Sequence, residues 1–342
     1  MKLQNVAYSL IITALVILLL IVAEPIIVPF VIAILIWFVV KKTRNLIDKI
    51  GFFRKYIPRW VKTLLASVVI FFGLVSVARL LIYNIEILSF SYEDYSANIN
   101  AIGTQIESLT GLDLQEQLTS AIKSLESTDY LTGLVNSISG ILGNMVMIVF
   151  YIIFILIEES LFERKLALIA ADSEHPEGTK QTLAKIDKTM SRYIGLKSLI
   201  ALSTATLGYV VFYLVGLDAP IFWAFLLFMF NFIPSVGPIL ASILPALFSL
   251  LQFGDFTAFL IIIIALTSIS VLIGNFLEPR LMGNTLNISP LVAVLSLAVW
   301  GALWGVTGML LSVPITVALI IIFSQFSNTR SIAILLSEKG RV

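Results

Sequence analysis

Few charged residues in this chain sit where an apolar setting would make them chemically active, and Glu278-Pro279-Arg280 is the main exception. It follows 22 uncharged residues, counted from Asp255, and Asn275 lies one helical turn before it. A carboxylate at the end of an apolar segment can carry a proton or hold a cation. Pro279 has no N–H and so frees a carbonyl one turn earlier as a further oxygen ligand. Arg280 works the other way, because a permanent cation repels a metal ion. The plainer reading is a solvated pair at a membrane edge, where long charged side chains reach water cheaply. Asn275, Glu278 and Arg280 are therefore the candidates for ion coupling.

Two uncharged stretches carry the residue types for solute binding. Between Asp218 and Asp255 the chain runs 36 residues without a charge, with Asn231-Phe-Ile-Pro-Ser-Val-Gly-Pro238 at its centre. Between Arg280 and Arg330 it runs 49 residues without one, with Trp300-Gly-Ala-Leu-Trp-Gly-Val-Thr-Gly308 near the middle. Long apolar segments broken by Gly, Pro and small polar residues mark discontinuous membrane helices, and in transporters such breaks fall where substrate binds. Irregular backbone at that depth survives only where protein or a water-filled cavity covers it. A proline at the first helical position pre-sets a helix start. The free N–H groups of the arm that follows then point partial positive charge at an anion or polar oxygen.

The substrate-binding candidates are Asn231, Pro234, Ser235, Gly237 and Pro238 at the first break, and Gly301, Gly305, Thr307 and Gly308 at the second. Each has a plainer reading. The first break can be an ordinary tight turn, with Asn231 in a buried helix–helix hydrogen bond, and Gly301 with Gly305 can be a small-xxx-small packing pair. Trp300 and Trp304 either line a cavity or belong to an interfacial belt.

The elements that must position these residues are membrane helices. The chain has 342 residues, 59% hydrophobic and 13% charged, with mean hydropathy +1.02. Soluble domains carry about 25% charged residues, so this is a polytopic membrane protein. A net charge of +1 gives no reason to expect a nucleic-acid partner. The absence of cysteine excludes disulfides, cysteine metal sites and thiol catalysis, and a lone His175 excludes a His-rich metal site. Lys2 and the apolar run to Val22 are read as a retained first helix rather than a cleaved leader.

A span needs about 20 apolar residues. Six are expected at 6–23, 25–40, 62–88, 134–157, 198–217 and 256–277, with interrupted runs at 219–251 and 288–326. Segment 41–62 carries eight basic residues against Asp48, and 158–197 carries Arg164, Lys165, Lys180, Lys185, Lys188, Arg192 and Lys197, so both belong in the cytoplasm. Segment 86–130 carries eight acids against Lys123 and belongs outside.

Every basic loop and both termini are cytoplasmic if each interrupted run returns to the side it came from. The first then dips from outside and the second from inside, as an inverted repeat requires. In the surviving rival both runs cross once, as very long kinked helices. The expected class is thus all-α: about six full spans plus two opposed re-entrant hairpins, with 234–238 and 301–308 near each other at mid-depth. A faint echo between Gly237-Pro-Ile-Leu-Ala-Ser-Ile-Leu-Pro245 and Gly308-Met-Leu-Leu-Ser-Val-Pro314 points the same way.

The expected organisation is N-terminal spans over 1–90, a polar outer segment of short surface helices over 91–133, and a fourth span with an inner amphipathic segment over 134–197. A transport core over 198–326 and a cytoplasmic tail over 327–342 follow. Asp172-Ser-Glu-His-Pro-Glu-Gly178 reads as a turn.

Phe232-Ile-Pro-Ser-Val-Gly-Pro-Ile-Leu-Ala-Ser-Ile-Leu-Pro245 resembles the Pro-x-x-Gly-Pro tip of the autoinducer-2 exporter family of bacterial and archaeal membrane proteins. Asn275-Phe-Leu-Glu-Pro-Arg-Leu-Met-Gly283, Pro290, the glycine-rich 301–308 and Pro314 extend the resemblance over roughly 190–325, while the N-terminal half is similar in span layout alone.

The resemblance implies a multi-pass transporter of a bacterial or archaeal cell membrane, exporting a small polar solute such as an autoinducer-2-like signal. A proton or sodium gradient would drive it, the two hairpins would move together as an elevator, and a homo-oligomer is expected. Sodium/proton antiport and a channel-like oligomeric pore are the alternatives, although no filter motif is present. There is no P-loop, H-E-x-x-H or G-x-S-x-G. ATP is thus not expected as the direct energy source, and neither an enzyme nor a cofactor is expected.

Overall fold

The computed structural model of the chain describes residues 3–48, 57–90, 98, 145–159, 161, 164–165, 176–282, 287–326 and 328–340. Among these residues every regular element is helical. The elements are α1 (Leu3–Val22), α2 (Glu24–Ile47), α3 (Arg59–Phe90), α4 (145–159), α5 (Pro176–Val215), α6 (Pro220–Phe230), α7 (Val236–Phe253) and α8 (Phe256–Leu272). A π-turn (Ile273–Leu277), α9 (Glu278–Met282), α10 (Pro290–Phe323) and α11 (Arg330–Leu336) follow among the described residues.

Among the described residues, six helical stretches are long and apolar enough to cross a membrane: Glu24–Asn45, Trp60–Asn84, Ala184–Val215, Val236–Phe253, Phe256–Met282 and Pro290–Phe323. They are not the same six that apolar runs alone predict. Leu10–Val22 is a shorter apolar helix, and 134–144 of the fourth expected span lie outside the described residues. Val236–Phe253 and Pro290–Phe323 belong instead to the interrupted runs. The outer segment 92–133 lies outside the described residues apart from Asn98. Pro176 opens a 40-residue helix instead of sitting in a turn, because a proline at the first helical position forfeits no internal hydrogen bond.

The chain divides into two compact units. The first comprises Met1–Thr63, Ile141–Ile194 and Thr285–Val342. Here α1 and α2 are separated by a single turn residue, Ala23, ahead of Glu24-Pro25. Pro25 cannot donate to the helical ladder, so one continuous helix is disfavoured. Glu24 in the first turn of α2 suits the positive end of its dipole. Val28, Trp304 and Leu311 form a buried cluster with Leu20, Ile32 and Ile315 around them. Near the other end of α2, Arg44 makes a bidentate pair with Glu159 of α4 (2.9 and 2.8 Å) and donates to Thr63 Oγ1 at 3.0 Å. Their side chains are only 4% and 7% exposed. Lys62–Asp48 and Lys41–Asp187 (2.8 Å) add two more pairs.

The second unit comprises Leu64–Gly140 and Gly195–Asn284. Its core packs Ala205 and Phe212 of α5, Trp223 and Leu227 of α6, Ala241 and Ala246 of α7, and Ile262 and Leu266 of α8. Left-handed Gly216 (φ 80°) ends α5, and Pro220 starts α6. Gly254 (φ 69°) ends α7, and the Asp255 carboxylate then caps α8 by accepting from Thr257 N at 2.8 Å and Ala258 N at 3.3 Å. At about 1.5 Å per residue, α6 is only about 16 Å long, half of what a span needs.

Candidate functional site

Helices α6 and α7 fold back on each other. The Trp223 and Phe248 rings lie 5.1 Å apart across the pair. Gln252, near the end of α7, accepts from Asp218 N at 2.7 Å and donates to the Gly216 carbonyl at 2.9 Å. The two feet of the hairpin are thereby tied together. Asn98 donates to the Leu251 and Gln252 carbonyls at 3.1 and 2.7 Å, covering the last acceptors of α7.

The tip between these arms brings together Asn231, Pro234, Ser235, Gly237 and Pro238. Val236 N donates to the Pro234 carbonyl at 2.6 Å with Ser235 at φ 61°, ψ −49°. That is a γ-turn of the rare, strained kind. Gly237 N donates to the Ile233 carbonyl at 3.2 Å, and Pro238 has no N–H. The N–H groups expected to face an anion are thus absorbed within the turn itself. Gly237 is required by packing: a methyl built on it lies 1.8 Å from the Phe230 carbonyl oxygen. Ser242 Oγ donates to the Pro238 carbonyl at 2.8 Å. Asn231 Nδ2 donates to Thr204 Oγ1 at 3.3 Å, whereas its Oδ1 is buried and has no hydrogen-bond partner among the described residues.

Gly301, Gly305, Thr307 and Gly308 gather at a second tip, in the first unit. Helix α10 is broken at Trp304 (φ −130°, ψ 21°) and Gly305 (φ 57°, ψ −142°), the latter in a region reserved for glycine. Trp300 Nε1 donates to Thr316 Oγ1 at 3.1 Å. Sixteen residues of straight helix would hold those residues about 24 Å apart, so the chain doubles back. A methyl built on Gly308 would sit 1.8 Å from the Trp300 carbonyl oxygen and 3.1 Å from Trp304 Cβ. The corresponding distances at Gly237 are 1.8 Å to Phe230 O and 3.2 Å to Ile233 Cβ. Each glycine is followed within eight residues by a buried serine, Ser242 or Ser312, and a buried proline, Pro245 or Pro314. At Gly301 a methyl meets only the flexible Met309 side chain, at 3.0 Å. Trp304 is buried and donates from Nε1 to the Leu20 carbonyl at 3.0 Å, so it serves packing within its unit rather than an interfacial belt.

Glu278 follows the π-turn, its N–H donating to the Ile273 carbonyl five residues back. The ring of Pro279 would press on the carbonyl four residues before it, and widening the ladder just upstream relieves that clash. Its partner is Lys197 of α5, not Arg280: Lys197 Nζ lies 2.6 Å from Glu278 Oε1, with side chains 12% and 30% exposed. Asn275 and Arg280 are exposed. The first tip and Asn275, Glu278 and Arg280 belong to the second unit, and the second tip belongs to the first. Sequence reasoning missed Lys197, Thr204 and Gln252. Lys197 sat at the end of a basic segment and read as one more cytoplasmic charge. Among the described residues no cluster of His, Cys, Asp and Glu has the makings of a metal site.

The family model described as AI-2E family transporter matches residues 10–328, which extends the likeness well beyond the C-terminal half. A "Putative transport protein" of Borreliella burgdorferi is 37% identical over 210 residues, 60% of this chain and 57% of that one. A "Putative transport protein" of Haemophilus influenzae is 32% identical over 211 residues, 61% and 60% of the two chains. The "AI-2 transport protein TqsA" of Escherichia coli K12 is 32% identical over 249 residues, 71% of each. The matched region thus spans less than two thirds of the first two relatives.

Proposed function

Because this chain belongs to the AI-2E transporter family, we propose that it is a secondary membrane transporter exporting a small polar solute, driven by a proton or sodium gradient. The observation that carries this reading is the matched geometry of the two tips. Each has a glycine whose absent side chain lets a helix arm approach a carbonyl oxygen of its partner arm. Each therefore closes a tight, helix-broken turn inside a long uncharged run, the arrangement found where transporters hold substrate. In this reading both are re-entrant hairpins, the first dipping from outside and the second from the cytoplasm, as the loop charges require. Asn231, Pro234, Ser235, Gly237 and Pro238, with Gly301, Gly305, Thr307 and Gly308, contact the solute. Asn275, Glu278 and Arg280 serve ion coupling, with Lys197 as the resident counter-charge. The protein works in the cell membrane as a homo-oligomer, its hairpins moving together and both termini cytoplasmic. The name of the Escherichia coli relative favours an autoinducer-2-like solute.

A second reading, sodium/proton antiport, is favoured by the Lys197–Glu278 pair, which joins two apolar helices. Proteoliposomes loaded with a panel of small polar solutes, under imposed pH or sodium gradients, separate the readings. Gradient-driven solute efflux supports export. Sodium movement driven by a pH gradient without any solute supports antiport. Solute flux indifferent to both gradients would show a passive pore and refute the proposal.

A further inference from the structure

We infer that Asn231 is the specificity-determining residue of the first tip, and that it selects a neutral solute by accepting a hydroxyl proton. This rests on the reading of that tip as a solute site. The amide's orientation follows from its neighbour. Thr204 Oγ1 donates its one proton to the Ile200 carbonyl at 3.0 Å. Toward Asn231 it can therefore only accept, and that turns Nδ2 to it at 3.3 Å. The other end of the amide, Oδ1, is left as a buried acceptor with no donor among the described residues. A buried polar atom without a partner is costly and calls for an explanation; a donor brought by the solute supplies one.

The rest of the tip narrows the chemistry. Val236 N and Gly237 N are engaged inside the turn, and Pro234 and Pro238 have no N–H. The exposed Ser235 hydroxyl is the one side-chain donor the turn itself offers. A carboxylate or phosphate would find too few donors here. No charged residue lies between Asp218 and Asp255, nor between Lys197 and Asp218 on the segment carrying Thr204. These segments thus offer an ion of either sign no counter-charge. A solute with hydroxyl groups gives one proton to Asn231 Oδ1 and accepts another from Ser235.

The test uses the full-length protein in proteoliposomes with two probes of similar size, erythritol as a neutral polyol and lactate as an anion. Wild type is expected to move erythritol at least about tenfold faster than lactate. N231L, which removes the acceptor, should cut erythritol flux about tenfold and leave lactate flux as it was. N231Q keeps the donor and the acceptor of the amide without adding a charge, so it should retain more erythritol flux than N231L. It serves as the deciding variant if N231L fails to fold. Faster lactate than erythritol in wild type, or unchanged erythritol flux in N231L, overturns the inference while the transport reading stands. So does a loss of about tenfold in erythritol flux in a folded N231Q. Movement of neither probe, together with no gradient-driven flux of any solute in the wider panel, refutes the transport reading itself.

Discussion

Replacing Gly308 by alanine tests whether the second tip depends on the close approach of its arms. The added methyl would start 1.8 Å from the Trp300 carbonyl oxygen, whereas real contacts of this kind stop near 3.0 Å. The arms must therefore part by about 1.2 Å, the difference of those two distances. Backbone sits on both sides, so no side-chain rotation relieves the clash. Overpacking of this kind costs about 1–3 kcal/mol. The displacement also strains the Trp300–Thr316 and Trp304–Leu20 hydrogen bonds, at 3.1 and 3.0 Å. Each interhelical hydrogen bond in a membrane is worth about 0.6 kcal/mol. G308A should therefore lose about 2–4 kcal/mol in reversible unfolding by SDS, the sum of those two contributions. G301A is the internal control: its methyl meets only the Met309 side chain, and it should lose under about 1 kcal/mol. If G308A and G301A unfold together, within about 0.5 kcal/mol as distant surface changes do, the reasoning about arm contact is wrong.

The same logic applied to G237A predicts a comparable loss, because its clash with Phe230 O has the same 1.8 Å length; a wild-type unfolding midpoint would separate the two tips in kind. R44M should cost about 3–5 kcal/mol by leaving Glu159 buried without its bidentate partner. The double variant R44M/E159L should recover most of that loss in the same unfolding assay; no recovery would mean that Arg44 acts through packing alone. E278Q should assemble normally but lose gradient-driven flux while retaining solute binding, measured by equilibrium dialysis and proteoliposome efflux; unchanged gradient dependence would reduce Glu278 to an anchor for Lys197. Cysteines placed singly at Ser96 and Lys339 of this cysteine-free chain should react with an impermeant maleimide from opposite sides, and labelling of both from outside would overturn the topology.

Composition and charge-free runs were enough to read the helical class and the positions of both breaks, because a membrane helix is a local property of about 20 residues. The pairings were not legible. Arg44 and Glu159 are 115 residues apart in sequence, and Lys197 and Glu278 are 81 apart. Each basic partner lies in a segment whose summed charge already had an adequate explanation. Pro238 suggested unsatisfied amides at the head of α7, but the γ-turn at Ser235 folds them inward. No sequence rule foretells a strained turn held by its own arms. The tryptophans of the second break were weighed as cavity lining or interfacial belt, yet their indole N–H groups serve hydrogen bonds within one unit.

The π-turn ahead of Glu278 makes that carboxylate's direction a matter of register. Each residue of an α-helix advances the face by about 100°, and a widened turn absorbs a residue without passing that rotation on. The ladder of α8 thus stays continuous while the side chains beyond it are re-aimed. Pro279 holds the widening in place, since it cannot supply the N–H that would close an ordinary turn. P279A would let the segment rewind, and Glu278 would swing by about a quarter of a revolution away from Lys197. The aim of the acid is then set by a residue that carries no charge and titrates nowhere, so its loss would be felt in the geometry of the pair before any change in chemistry.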